Sequence, residues 1–248
     1  MINDWSSHRI FVLAPYRMTL SGPESVTYGT DEFKAEVASW MSVLGASHTW
    51  VEVTPETAAL AIARAQDEAR RRPVVVLNLC DGIDVDGYPG IRTVKALEAS
   101  GLSFTGADSS FYELSTPKTL MKARLIERNV PTSPFVVIKD PAVDGALAAH
   151  LGYPLIIKPD VSAASFGISI KSVVEDEASC VAQSAVALAG ERRMDNYYEG
   201  VFAERFILGR EFTVLCASDR AAGAGVFVYP AVERVFHAAL PPLERLLS

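Results

Sequence analysis

The chain is poor in cysteine and histidine, with 3 and 4 among its 248 residues. Cys80, Cys180 and Cys216 are far apart, and no Cys-x-x-Cys or Cys/His ligand spacing occurs. That excludes a disulfide framework and a zinc module, and predicts reduced thiols. No apolar run approaches the roughly 20 residues needed to cross a bilayer. The polar start, residues 1–9, lacks a secretory pattern. A cytoplasmic protein without a membrane partner is therefore expected. Basic residues are also few, 23 Lys and Arg against 30 Asp and Glu for a net charge of −7. Such a balance suits a polyphosphate backbone poorly and argues against nucleic acid as a partner. Two glycine signatures are missing as well. No Gly-x4-Gly-Lys-Ser/Thr loop exists, and Leu13-Ala-Pro-Tyr-Arg17 stands where a dinucleotide fold would carry Gly-x-Gly-x-x-Gly.

What is present is core-forming material. Hydrophobic residues make up 49% and charged ones 21%, which allows one large domain or two ordinary ones and excludes a disordered tail. Residues 9–14, 49–53, 73–79 and 102–105 read as short buried strands. Between them, helical spacing runs over 30–44, with Thr30 opening it and Gly45 closing it. A second helix runs over about 54–72, with Thr54 as N-cap and Pro55 at its first position. A third spans 90–100 and ends at Gly101. Strand–helix alternation of this kind predicts an α/β, doubly wound parallel sheet, with ligands collecting at the carboxyl ends of the strands.

From about residue 115 the pattern changes. A helix over 116–128 is followed by strands at 135–138 and 154–158, a helix near 143–151, a strand at 168–173 and a helix over 175–189. Two further runs, 201–207 and 211–217, flank Leu208-Gly209-Arg210, which suggests a tight connection between antiparallel strands. Residues 221–229 follow as another strand. This half reads as α+β with an antiparallel sheet, and residues 233–248 carry no recognisable element.

Four clusters can carry chemistry. Lys118 begins a helix in Thr116-Pro-Lys-Thr-Leu-Met-Lys122, where backbone amides and an ammonium together suit phosphate. Lys158 ends the apolar strand Leu155-Ile-Ile-Lys-Pro159, and its charge needs an anion or water. Residues 159–167 form a small-residue loop whose amides, with Ser162 and Ser165, can approach phosphate oxygens. Glu204 and Glu211 bracket a hinge whose backbone at Arg205 and Ile207 can meet a purine edge. Taken alone, each has an ordinary surface explanation.

Together, their order resembles the ATP-grasp superfamily. The sharpest similarity is to D-alanine–D-alanine ligases, whose hinge reads much like Glu204-Arg-Phe-Ile-Leu-Gly-Arg-Glu-Phe-Thr-Val214. Upstream, Asn78-Leu-Cys-Asp-Gly82, Asp86-Gly87 and Gly101-Leu-Ser-Phe-Thr-Gly106 add to it, so the resemblance covers roughly residues 74 to 216. It implies a pre-ATP-grasp domain over 1–112, a central ATP-grasp subdomain over 113–200, and a truncated C-terminal subdomain beginning at 201–248. It implies ATP bound by Lys118, Lys158, Ser162, Ser165, Glu204, Arg205, Ile207 and Glu211, with Ser165 also catalytic. The implied reaction is ATP-dependent ligation of a small carboxylate to an amine through an acyl phosphate. Mg²⁺ would assist, with its ligands expected beyond Ser248, and a homodimer is the expected assembly. A non-catalytic ATP/ADP-binding module is the alternative.

This sequence departs from the family in places. Ala163-Ala164-Ser165 replaces the usual Gly-Ser-Ser, and Asp81-Gly82 replaces His-Gly. Asp81 and Glu24 are the candidates for substrate contact. D-alanine is accordingly not the expected substrate.

Overall fold

The computed structural model describes residues 5–25, 27–80, 84, 87–162, 167–191, 200–219 and 225–241. These divide into two compact units, one up to Asn129 and the other from Val130 onward. None of the described helices is long and apolar enough to cross a membrane.

In the first unit β1 (Arg9–Pro15) leads into a small antiparallel hairpin, β2 (Arg17–Thr19) and β3 (Gly22–Glu24). There follow α1 (Asp31–Leu44), β4 (Ser47–Val53), α2 (Ala58–Ala69), β5 (Val74–Asn78), α3 (Ile91–Ser100) and β6 (Ser103–Phe104). The unit closes with α4 (Ser109–Ser115) and α5 (Lys118–Glu127). The sheet order is β4-β1-β5-β6, all parallel. Side chains of β1 alternate between two cores, as the period of two demands. Phe11 and Leu13 pack with Ala61, Ile62 and Leu97 of α2 and α3, whereas Ile10 and Val12 pack with Val37 and Met41 of α1. Helices thus cover both faces, and β1 is buried in the middle, as its apolar composition dictates.

Local signals set most of the boundaries. Thr30 Oγ1 accepts the Phe33 amide at 3.2 Å, and Gly45 closes α1 in the left-handed region. The expected cap at Thr54 is different. Its carbonyl accepts the amides of Thr57 and Ala58, its amide donates to Thr57 Oγ1, and its own hydroxyl is taken by Glu56. With that hydroxyl engaged, residues 54–57 form a turn and the helix starts at Ala58.

The second unit contains β7 (Phe135–Ile138), α6 (Pro141–Ala148), β8 (Leu155–Pro159), β9 (Val173–Val174), α7 (Glu177–Glu191) and β10 (Val201–Arg205). Its sheet runs β7-β10-β8-β9 and is antiparallel throughout. One face, bearing Ile138, Leu155, Ile157, Val201 and Ala203, forms a core with Ala148 of α6 and Cys180 of α7. Beyond it lie two short ribbons, β11 (Glu211–Thr213) with β14 (Val232–Arg234), and β12 (Cys216–Asp219) with β13 (Gly225–Val228).

Three expectations are corrected here. Residues 168–173, expected as a strand, hold a 3₁₀ turn at Ile170–Ser172, and only Val173 among them is in a strand, β9. The Ser172 hydroxyl accepts the Ser169 amide at 3.0 Å, so serine competes locally with sheet pairing. β10 and β11 are not hairpin partners, because both edges of β10 are already taken by β7 and β8. Residues 233–248, expected to carry no element, begin inside a strand, β14, whose Glu233 meets Arg210 in a two-pronged ion pair. That pairing holds the Arg210 guanidinium above and the Glu233 carboxyl below their ordinary ranges.

Candidate functional site

Lys158 and Glu204 come together across two neighbouring strands. On β8 and β10, Lys158 is in register with Phe202, and Glu204 with Ile156. The two charged residues are therefore diagonal neighbours on one face of the sheet, opposite the face that packs on α6 and α7. Lys158 Nζ donates to Glu204 Oε1 at 2.6 Å. Their side chains are only 25% and 12% exposed, so each charge is largely withdrawn from water and the pairing offsets that cost. Around them the strands supply apolar walls, with Ile156 and Phe202 almost fully buried and the Phe135 ring edge-on to Phe202 at 6.1 Å.

Arg205 is the last residue of β10, and after it the chain leaves the sheet as an exposed edge. The Arg205 amide donates to Pro134 O at 3.2 Å, and its carbonyl accepts the Ser133 hydroxyl at 2.8 Å. A carbonyl has two acceptor positions, so one remains. Phe206 donates to Pro154 O at 2.9 Å. The next amide, that of Ile207, has no partner among the described residues, and its residue is 66% exposed. Glu204, the Arg205 carbonyl and the Ile207 amide thus present, in order, an acceptor, an acceptor and a donor.

The remaining candidates sit as follows. Lys118 is the first residue of α5 in the first unit, half-buried, with Pro117 as its N-cap. Ser162 is half-buried shortly after β8. Ser165 and the residues 163–166 lie outside the described residues, as does Asp81. Gly167, where description resumes, has φ +76°, and a Cβ there would stand 2.8 Å from Pro159 Cγ. Only glycine lets this loop return so closely past the end of β8. Glu211 opens β11, exposed and in register with Arg234. Glu24, on β3, lies 3.9 Å from Arg17.

Sequence reading missed two features. The carboxylate of Asp84 accepts the amides of Gly90 and Arg92 and pairs with the Arg92 guanidinium at 3.2 Å, so an internal anion already occupies the start of α3. An aspartate a few residues before an apolar-periodic segment is the signal, though its distance from the helix hides it. The second feature is the Arg205 side chain, which turns away from Glu204 to Leu151.

Among the described residues no group of three or more His, Cys, Asp or Glu side chains is assembled to hold a metal. These described residues do not fit the Mg²⁺ that nucleotide chemistry implies.

Comparison with known proteins gives the same fold. A D-alanine–D-alanine ligase of Geobacter sulfurreducens is 30% identical over 128 residues, 52% of this chain and 37% of the relative. A phosphoribosylamine–glycine ligase of Synechocystis is 32% identical over 123 residues, 50% of this chain and 27% of the relative. The crystal structure of D-alanyl-alanine synthetase A from Vibrio cholerae matches with a TM-score of 0.64 at 14% identity, covering 97% of this chain and 71% of that one. No family model matches the chain. The chain thus has the ATP-grasp fold and is similar in sequence to D-alanine–D-alanine ligases, and the match spans about a third of those curated relatives' length.

Proposed function

We propose that this chain forms the adenine-nucleotide site of an ATP-dependent carboxylate–amine ligase. The observation that carries the reading is the Lys158–Glu204 pair standing directly before the Arg205–Ile207 edge. A carboxylate offers only acceptors, which matches the exocyclic amino group of adenine. The Arg205 carbonyl takes the second amino hydrogen, and the Ile207 amide donates to the adjacent ring nitrogen. Glu211 accepts from the ribose hydroxyls. Lys158 and Lys118 hold the phosphates, and the loop through Ser162 and Ser165 closes over them.

In the reaction, a carboxylate oxygen of the first substrate attacks the γ-phosphorus and ADP leaves. The amine of the second substrate then attacks the acyl phosphate, inorganic phosphate departs, and the amine gives up a proton. This chain's groups contribute by positioning and by neutralising phosphate charge. Asp81 and Glu24 are the residues assigned to the small-molecule acid and amine, and Ser165 to the reacting centre. A homodimer is the proposed assembly.

Calorimetric titration with ATP and ADP, with and without Mg²⁺, tests the reading. Wild type binds both, and Lys158→Ala lowers affinity by about tenfold or more, the loss of a charge-assisted contact. Absence of any nucleotide binding by the wild-type chain would end it. Amino-acid-dependent release of ADP and phosphate tests the ligase step separately.

A further inference from the structure

The side chain of Arg205 cannot reach the face that bears Glu204, because successive residues of a strand point to opposite sides. It goes instead to the helix side of the sheet, where Val201 and Ala203 are buried. There both Nε and Nη2 donate to one acceptor, the carbonyl of Leu151, with 2.9 Å from Nε. Leu151 is the last residue of the 3₁₀ turn Ala149–Leu151 that follows α6. Its carbonyl sits at a negative helix end, where a guanidinium is doubly favoured by charge and by the orphan acceptor. The next residue is Gly152 at φ +79°, and a Cβ there would lie 3.3 Å from Arg205 Nη2. A side chain there would press on the guanidinium, and the positive φ already favours glycine. On the backbone side, Arg205 and Phe206 are bonded to Pro134 and Pro154.

From this arrangement we propose that Arg205 is a positioning residue: its guanidinium, clamped on Leu151, fixes the Phe206–Ile207 backbone so that the Ile207 amide is held ready for a purine edge. The proposal rests on the nucleotide reading above for its ligand, but the clamp itself is a property of the chain. An exposed arginine without this role would leave the edge unchanged when removed.

The experiment compares wild type, Arg205→Ala and Arg205→Lys by residue-resolved amide hydrogen exchange and by calorimetry with ATP and with inorganic triphosphate. Lysine keeps the charge and loses the two-donor fork. In Arg205→Ala, exchange at the Phe206 amide accelerates by about tenfold or more, with Val201 and Ala203 unchanged, and Arg205→Lys falls between. ATP affinity falls by about tenfold while triphosphate binding stays, because only the purine edge is disturbed. Unchanged Phe206 exchange overturns the proposal, and so does equal acceleration along all of β10, which would mean general loss of stability. Accelerated exchange with undiminished ATP affinity overturns it too. If wild type binds no ATP yet Phe206 accelerates selectively, the clamp stands and the nucleotide reading falls.

Discussion

Lys158 Nζ and Glu204 Oε1 lie 2.6 Å apart although 46 residues separate them in the chain. Both side chains are mostly buried, so the pairing offsets part of the cost of withdrawing each charge from water. Lys158→Met removes the ammonium that neutralises Glu204 and lowers stability by about 2 kcal/mol, less than a fully buried pair would lose because water still reaches Lys158. The double variant Lys158→Met/Glu204→Leu loses less than the two single losses added together. Urea denaturation of the four proteins measures this coupling, and additivity within about 0.5 kcal/mol would show that the pair does not interact.

Glu204 also sets a preference among purines. Guanine carries a carbonyl where adenine carries its amino group, and an acceptor facing an acceptor forms no hydrogen bond. ATP should bind at least about tenfold more tightly than GTP, and Glu204→Gln, whose amide can donate, should narrow the gap. Competition between the two nucleotides against a fluorescent ADP analogue reads it directly. Equal affinities would place the purine elsewhere.

Gly167 is a backbone test of the loop after β8. Its positive φ and the 2.8 Å approach of a Cβ to Pro159 Cγ both oppose any side chain. Gly167→Ala should cost about 1–3 kcal/mol and weaken nucleotide binding. A variant as stable as wild type with unaltered binding would contradict the geometry.

Acid should unfold the protein partly through its helix caps. Asp144 accepts the Asp140 and Lys139 amides at 2.8 and 2.7 Å, and these bonds hold its carboxyl below the ordinary range. Asp176 is lowered by the Ser179 amide and hydroxyl, and Asp108 by the Ser110 hydroxyl and the Phe111 amide. Between the lowered and the ordinary pKa the unfolded chain binds more protons than the folded one. The stabilisation is therefore complete above the ordinary carboxylate value and disappears as pH falls through the folded one. Melting temperature should fall as pH drops below about 4, and Asp144→Asn should flatten part of that fall. An identical pH profile in the variant would remove Asp144 from the account.

The sequence by itself determined most of the longer strands and helices, and with each strand the alternation of its side chains between two faces. Short apolar runs gave β1, β4, β7 and β8, and Thr30, Gly45 and Gly101 marked helix ends through bonds that reach only a few residues. Parity alone already put Ile156 and Lys158 on one side of a strand and Leu155 and Ile157 on the other. Where local polar side chains competed, as at Thr54 and at Ser169 with Ser172, the reading went astray, because two hydrogen-bonded arrangements of similar length were open to the same residues. Tertiary structure alone decided which strands pair. β10 lies between β7 and β8, and β11 finds β14 instead of its sequence neighbour. It also decided that Lys158 meets Glu204 and that Arg205 meets Leu151. A strand's pattern says which face is buried but not against whom. The partner is fixed by pairing energies summed over the whole sheet, between residues tens of positions apart, and no local period encodes that sum.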